Sequence, residues 1–390
     1  MELSSFFAPL IKSGFKPRED YYASQIGSKI MAHMPGHFPS LENVQLALFS
    51  VREDRGSVQN KGCDQGPDLI RKNLYELSYN FNFPWVDLGE FLTGSSLQDT
   101  YTGLIEVLEF LRSQNIFPLI IGGSQDLTYP LYKAFARMEE KVDLLVIDSH
   151  FDLDEDPEES TTTTSISYLN KILTDEPNFL FNFSNLGFQT HFVSEEIRHF
   201  MDRQNFDIYR LGEINGNIAD AEPVIRSANL ISFDIRAVRF SDAPGCEDQT
   251  ANGFYGEEAC QLFRYAGMND QLQGLGFFEY NPQFDNRDQT AGLIAQMIWY
   301  FLEGFASRKQ DNPLKSSAHF YKYRTSLKNN PSEIIFFKSK KTGRWWMQVP
   351  YPPHYRKNNF FHLIPCRYED FQHASNGEVP ERWWRSHQKL

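Results

Sequence analysis

A chain of 390 residues, 41% hydrophobic, can bury one large core, with or without an appended unit. Its net charge of −13 and the lack of a recognised motif argue against nucleic acid as a partner. No stretch approaches the roughly 20 consecutive apolar residues of a membrane span, so a membrane is not an expected partner either.

The opening Met1-Glu2-Leu3-Ser4-Ser5-Phe6-Phe7 lacks the basic start and apolar run of an export signal. Four cysteines (Cys63, Cys246, Cys260 and Cys366) are widely spaced and form no zinc pattern. Cytoplasmic residence with reduced thiols is therefore expected. Residues 1–40 are read as an N-terminal extension packed on the core.

From residue 41 to 306, strand-like and helix-like segments alternate, which predicts an α/β fold. The expected architecture is a three-layer sandwich with a central parallel sheet and both faces covered. Residues 104–111 carry apolar side chains at helical spacing, and residues 291–305 place Leu293, Met297, Ile298 and Phe301 on one side. No internal repeat is present.

Four apolar runs in this region end in polar residues. The first reads Ile120-Ile121-Gly122-Gly123-Ser124-Gln125-Asp126, and the second Leu144-Leu145-Val146-Ile147-Asp148-Ser149-His150-Phe151-Asp152. The third is Leu230-Ile231-Ser232-Phe233-Asp234-Ile235-Arg236, continuing to Ser241-Asp242-Ala243-Pro244-Gly245; the fourth is Phe277-Phe278-Glu279-Tyr280-Asn281. An open parallel sheet presents a site at its carboxyl edge in this way. In the second run, strand alternation would turn Asp148, His150 and Asp152 to one side. Two carboxylates and an imidazole converging there suit a divalent metal such as manganese; the other reading is an acidic loop that merely follows a strand.

Six acidic residues lie between Asp152 and Glu159 and would repel a carboxylate ligand. Asp152, Asp154 and Asp156 have the spacing that opens an EF-hand loop, but Pro157 and Thr163 stand where that loop needs Gly and Glu. A solvated acidic loop is expected instead.

Polar residues 309–312 and Pro313 mark a junction. Beyond it, residues 307–390 carry sixteen Lys plus Arg against six Asp plus Glu, a balance of +10 that leaves −23 for the rest. Such a basic extension is expected to dock on an acidic body, its own or a neighbouring subunit's. Residues 333–337 and 344–349 flank a polar stretch with Gly343 and read as a β-hairpin. Trp345, Trp346, Trp383 and Trp384 argue for a packed extension, since disordered segments are aromatic-poor.

The order of the four runs resembles the ureohydrolase family of arginase, agmatinase, guanidinobutyrase and formiminoglutamase. The loop Gly62-Cys63-Asp64-Gln65-Gly66-Pro67-Asp68-Leu69-Ile70-Arg71 also looks like that family's Gly-x-x-x-Gly-Pro-x-x-Ile-Arg element. The resemblance covers roughly residues 40 to 305 and implies an arginase-like fold. It further implies hydrolysis of a guanidino or formimino C–N bond by water between two manganese ions. Carried across by motif, Asp148, His150, Asp152 and Asp234 match metal ligands, and Glu279 matches the glutamate that holds the substrate's cationic group. Asp148, His150 and Glu279 would form the catalytic set, and the ligand would be a small cationic guanidino or formimino compound. Relatives commonly assemble as homo-oligomers, so one is expected here.

The pattern breaks at two ligand positions. Gln125 stands where the family has a histidine and offers only a neutral amide oxygen. Arg236 stands where it has an aspartate, and a guanidinium has no lone pair to donate. Such a cation would repel a divalent ion by on the order of several kcal/mol at close range. Arg239 and Phe240 replace the family's usual Asp-Pro. One manganese ion or none is therefore expected, with activity impaired or lost; the alternative is a formiminoglutamase-like hydrolase working on a single or altered site. Glu279 is expected to pair with Arg236 or Arg239 rather than keep its hold on a substrate. The loop after Asp152 lacks the family's usual contacts to a substrate's amino-acid end.

Overall fold

The computed structural model describes residues 2–10, 16–154, 163–315, 317–326, 333–351 and 361–390. Ten strands form the main sheet: β1 (Phe7–Ala8), β2 (Met31–Ala32), β3 (Leu46–Val51), β4 (Trp85–Phe91), β5 (Phe117–Ile121), β6 (Val142–Ile147), β7 (Leu180–Phe188), β8 (Asp207–Arg210), β9 (Leu230–Asp234) and β10 (Gly274–Phe278). The order is β1-β4-β3-β5-β10-β9-β6-β7-β8, with β2 also on β4. All pairings are parallel except that of the two-residue β1, which runs antiparallel to β4 and makes the sheet mixed at this end.

Strand periodicity divides the core into two layers. In β6, Leu145 and Ile147 enter one apolar cluster, and Val142, Leu144 and Val146 enter the other. The first cluster is completed by helices Pro67–Glu76, Gly256–Gly267 and Gln289–Ala306, the second by Leu97–Ser113, Thr128–Ala136 and Tyr168–Leu173. Burial on both faces explains why these strands read as continuous apolar runs. The helical spacings at 104–111 and 291–305 fall inside Leu97–Ser113 and Gln289–Ala306. Helix Leu97–Ser113 opens with a reciprocal cap, Asp99 N donating to Ser96 Oγ and Ser96 N to Asp99 Oδ2, worth about 1 kcal/mol.

The Gly-Pro-x-x-Ile-Arg element is a packing device. Pro67 occupies the first helical turn, where its missing N–H costs nothing, and Ile70 enters the core. Arg71, fully buried, grips Asp87 of β4 through Nε at 2.7 Å and Nη2 at 3.0 Å. Gly66 is required here because a Cβ would lie 2.6 Å from the Tyr280 ring.

The C-terminal residues form a second sheet, antiparallel in the order β11 (Phe320–Ser326), β12 (Glu333–Ser339), β13 (Trp345–Pro350), β14 (Phe361–Cys366). The hairpin read from the sequence is β12–β13, with Gly343 at φ +73° in its turn. Helices Tyr368–Ser375 and Glu381–Lys389 complete a separate small core containing Phe336, Trp345, Met347, Phe371 and Trp383. This basic unit docks on its own chain. Arg344 pairs with Glu222 at 3.1 Å, Lys389 with Asp207 at 3.2 Å, and Arg367 with Asp220. From the body side, Arg226 donates to Trp345 O at 3.0 Å and Cys366 O at 3.3 Å and stacks on the Trp346 ring at 4.4 Å.

Candidate active site

Four neighbouring strands, β5, β10, β9 and β6, deliver the candidate residues to one edge of the sheet. Asp234 ends β9, Asp148 follows β6, Glu279 follows β10, and Gln125 lies in the turn after β5. That turn is held against Glu53, whose carbonyl accepts from Ser124 N at 2.9 Å. A Cβ on Gly123 would sit 2.0 Å from the same oxygen, so only glycine allows the approach.

Asp148, Asp152 and Asp234 converge, each offering an oxygen within 4.8 Å of the others, and all three are buried. The space among them is taken by protein donors. Arg236 Nη2 lies 2.7 Å from Asp234 Oδ2, 3.2 Å from Asp152 Oδ1 and 3.4 Å from Asp148 Oδ2. Its Nε also donates to Asp234 Oδ2 at 2.8 Å. The Gln125 amide is oriented by its surroundings, since an oxygen facing three carboxylates would set acceptor against acceptor. With nitrogen inward, it donates to Asp152 Oδ2 and Asp234 Oδ2 at 2.9 Å and to Asp148 Oδ2 at 3.3 Å, while its oxygen accepts from Ser232 Oγ at 3.2 Å.

His150 does not join the three carboxylates. Strand geometry ends at Ile147, and Asp152 sits at φ +51°, so the chain leaves the alternation that would have grouped them. The imidazole Nδ1 lies 2.9 Å from Ser149 Oγ and 4.0 Å from Asp148 Oδ1, and its ring stacks on Phe192 at 4.8 Å. Burial holds its pKa below the usual histidine value.

Glu279 pairs with neither arginine. Its Oε1 accepts from Gln125 N at 2.8 Å and its Oε2 from Asn60 Nδ2 at 2.8 Å, and it sits at a left-handed φ of +64°. The expected ion pair fails at Arg236 because three carboxylates compete for that guanidinium. It fails at Arg239 because that side chain pairs outward with Asp242 at 2.9 Å and lies 3.7 Å over the Tyr255 ring. The left-handed backbones at Asp152 and Glu279 cost about 1 kcal/mol or more each, and both fall at this site.

The charge balance is lopsided. Burial, then repulsion from Asp148, pushes Asp152 well above the usual carboxylate range, against the opposing pull of Arg236. Burial does the same to Asp234, and it raises Glu279 despite the hydrogen bonds from Asn60 and Gln125. The three aspartates in turn hold Arg236 firmly protonated in spite of its burial.

Above this cluster lies a cleft of about 800 Å³ whose described lining includes Gln59, His150, Asp152, Phe192, Arg236 and Asp248. Asp148, Asp234, Gln125 and Glu279 are not part of that lining and are at most 2% exposed. Arg236 and Asp152 thus reach the cleft, while Glu279 is buried outside its lining. A guanidinium and an amide NH₂ face the three carboxylates, and neither group offers a lone pair to a divalent ion. Most of the acidic loop, residues 155–162, lies outside the described residues.

Asn60 is the site residue that the sequence reading missed. Besides Glu279 Oε2, its Nδ2 reaches the Glu279 carbonyl at 2.7 Å, and its Oδ1 accepts from Asn281 Nδ2 at 3.1 Å. Its position two residues before the Gly62 turn was the available signal.

A doubly covered parallel sheet with converging aspartates at its carboxyl edge defines an α/β protein of the arginase type. Residues 44–303 match the model of the Arginase family, and the chain belongs to it. The formimidoylglutamase of Streptococcus gordonii is 25% identical over 291 residues, 68% of this chain and 86% of that protein. That of Bacillus subtilis is 24% identical over 282 residues, covering 66% and 86%. Among solved structures, Trypanosoma cruzi formiminoglutamase with Mn²⁺ superposes with a TM-score of 0.64 at 22% identity, over 69% of this chain and 96% of the other. Formimidoylglutamase from Bacillus subtilis gives 0.66 at 21%, over 77% and 97%.

Proposed function

We propose that this chain is a formiminoglutamase-like member of its family in which hydrolysis of guanidino or formimino C–N bonds has been lost and the fold retained. The observation that carries this reading is Arg236, hydrogen-bonded or ion-paired to all three converging aspartates, while Glu279 lies buried outside the cleft lining. Two-metal hydrolysis needs paired cations to acidify a shared water and brace the departing group. Here the residues that would hold them are engaged by a fixed cation, and Glu279 cannot meet a substrate in the cleft. The cleft then serves binding or regulation rather than turnover. No helix among the described residues is long and apolar enough to cross a membrane. The four cysteines are free and buried, which supports cytoplasmic residence, and resemblance to relatives supports a homo-oligomer.

One observation favours a second reading. Three carboxylates and one guanidinium leave a formal charge of about −2, which one divalent ion would neutralise with Arg236 still part of the cluster. That would be a single-metal hydrolase, weaker at activating water than a paired site.

Metal analysis after incubation with excess manganese, together with an assay for urea, formamide or ammonia release from arginine, agmatine, guanidinobutyrate and formiminoglutamate, separates the two. The first reading expects neither bound metal nor product. One equivalent with turnover establishes the second, and two equivalents reject both.

A further inference from the structure

A second depression of about 310 Å³ opens behind the wall of the cleft, lined by residues from 188–191, 210–215, 239 and 251–255. Its chemistry is the reverse of its surroundings. Arg210, Arg239 and His191 line it, and no aspartate or glutamate does, although the chain outside residues 307–390 carries a balance of −23.

The arginines are differently held. Tyr255 lies beneath the Arg239 guanidinium, and Asp242 Oδ1 is 2.9 Å from its Nε, an ion pair without hydrogen-bond geometry. Arg210 makes no ion pair among the described residues. Its neighbour Glu213 accepts from the Arg210 backbone N at 3.1 Å and is not part of the lining.

Two further polar atoms here are buried without a hydrogen-bond partner, Thr190 Oγ1 and Asn215 Oδ1. Buried polar groups are nearly always satisfied, so these orphans mark the wall of the depression as polar and incompletely paired. An oxyanion in the depression would be met by the guanidinium groups that line it.

We propose that this depression is a binding site for a small molecule bearing a carboxylate or phosphoryl oxyanion, separate from the arginase-type centre. The two sites share a wall. His191 lines the depression, while the next residue, Phe192, lines the cleft and stacks on His150. Thr250 and Ala251 divide in the same way, and Gln189 Nε2 ties the two wall segments by donating to Asn252 O at 3.0 Å.

Calorimetric titration of the full-length chain with inorganic phosphate and, separately, succinate tests the site. Saturable binding of at least one probe is expected, weakened about tenfold or more by Arg239→Gln and by Arg210→Gln. Arg210 is exposed, so its variant keeps the test intact should Arg239→Gln fail to fold. Binding of phosphate alone identifies a phosphoryl ligand, and binding of succinate alone a carboxylate. No saturable binding by either probe at about 20 mM, or binding unchanged in the folded variants, overturns the proposal.

Discussion

Arg236 holds Asp234 from two residues away by three separate donors. Its backbone N donates to Asp234 Oδ1 at 2.7 Å, its Nε to Oδ2 at 2.8 Å, and its Nη2 lies 2.7 Å from the same Oδ2. The short loop between them fixes the guanidinium where it also reaches Asp148 and Asp152. Removing that side chain leaves three buried carboxylates without the one arginine that pairs with all of them among the described residues. Arg236→Ala is expected to lower stability by about 3–5 kcal/mol in chelator, measured by urea denaturation. Unchanged stability would show that the ion pairs contribute nothing net.

Restoring ligands should restore metal affinity. Gln125→His with Arg236→Asp replaces an amide and a cation by an imidazole and a carboxylate at the carboxyl edge of the sheet. The double variant is expected to melt at higher temperature as manganese is added, by at least the roughly 2.7 kcal/mol that a ligand at 100 times its Kd supplies. The unmodified chain should show no such shift. A flat response from the double variant would mean that the ligand positions are misassigned.

Asn60 supports Glu279 from below, contacting both its carboxylate and its carbonyl. Asn60→Ala leaves those acceptors short of a donor in a buried setting, at a cost of about 2 kcal/mol. The same denaturation experiment reads it, and Asn60→Asp should be worse, since it adds a carboxylate beside another.

Arg226 is the buried tie between the body and the C-terminal sheet. Arg226→Ala removes two hydrogen bonds to β13 and β14 carbonyls and the stack on Trp346. A loss of about 3 kcal/mol is expected. Hydrogen exchange should rise in β11 to β14 well before it rises in β6 and β9; a uniform rise would contradict a local tie.

His362 in β14 makes this attachment pH-dependent. Burial, then the charges of Lys141 and Lys389, pushes its pKa down to about 4, below the roughly 6.5 of an unfolded histidine. The folded state therefore keeps the ring neutral, and the unfolded state takes the proton first. Its contribution is complete above about pH 6.5 and is lost as pH falls towards 4. Exchange in the C-terminal sheet should increase over that window in the natural chain and less so in His362→Phe. Equal increases in both would assign the effect to other groups.

The strands that carry the site were legible because burial on both faces leaves near-continuous apolar runs, and Asp148, Asp234 and Glu279 end such runs visibly; their order in the sheet was not. Arg236 was legible as a misplaced cation from its place in the third run. What could not be read was geometry beyond the strand ends. The left-handed turn at Asp152 breaks the alternation that would have carried His150 inward, and no local pattern announces a positive φ at an aspartate. The partners of Glu279 were missed for a related reason. Asn60 lies 219 residues away in the chain, and only the fold brings the two together. The hairpin of β12 and β13 was plain, but its docking surface depended on charges scattered over 207 to 226.

The strand β8 closes the far end of the main sheet, with one side of its backbone open to pairing. Helix Glu381–Lys389 meets the start of this strand, Arg385 donating to the Phe206 carbonyl at 2.8 Å and Lys389 reaching Asp207. Cationic side chains laid over an open strand discourage other chains from adding to it. The C-terminal unit thus sets positive charge at the start of the strand that ends the main sheet.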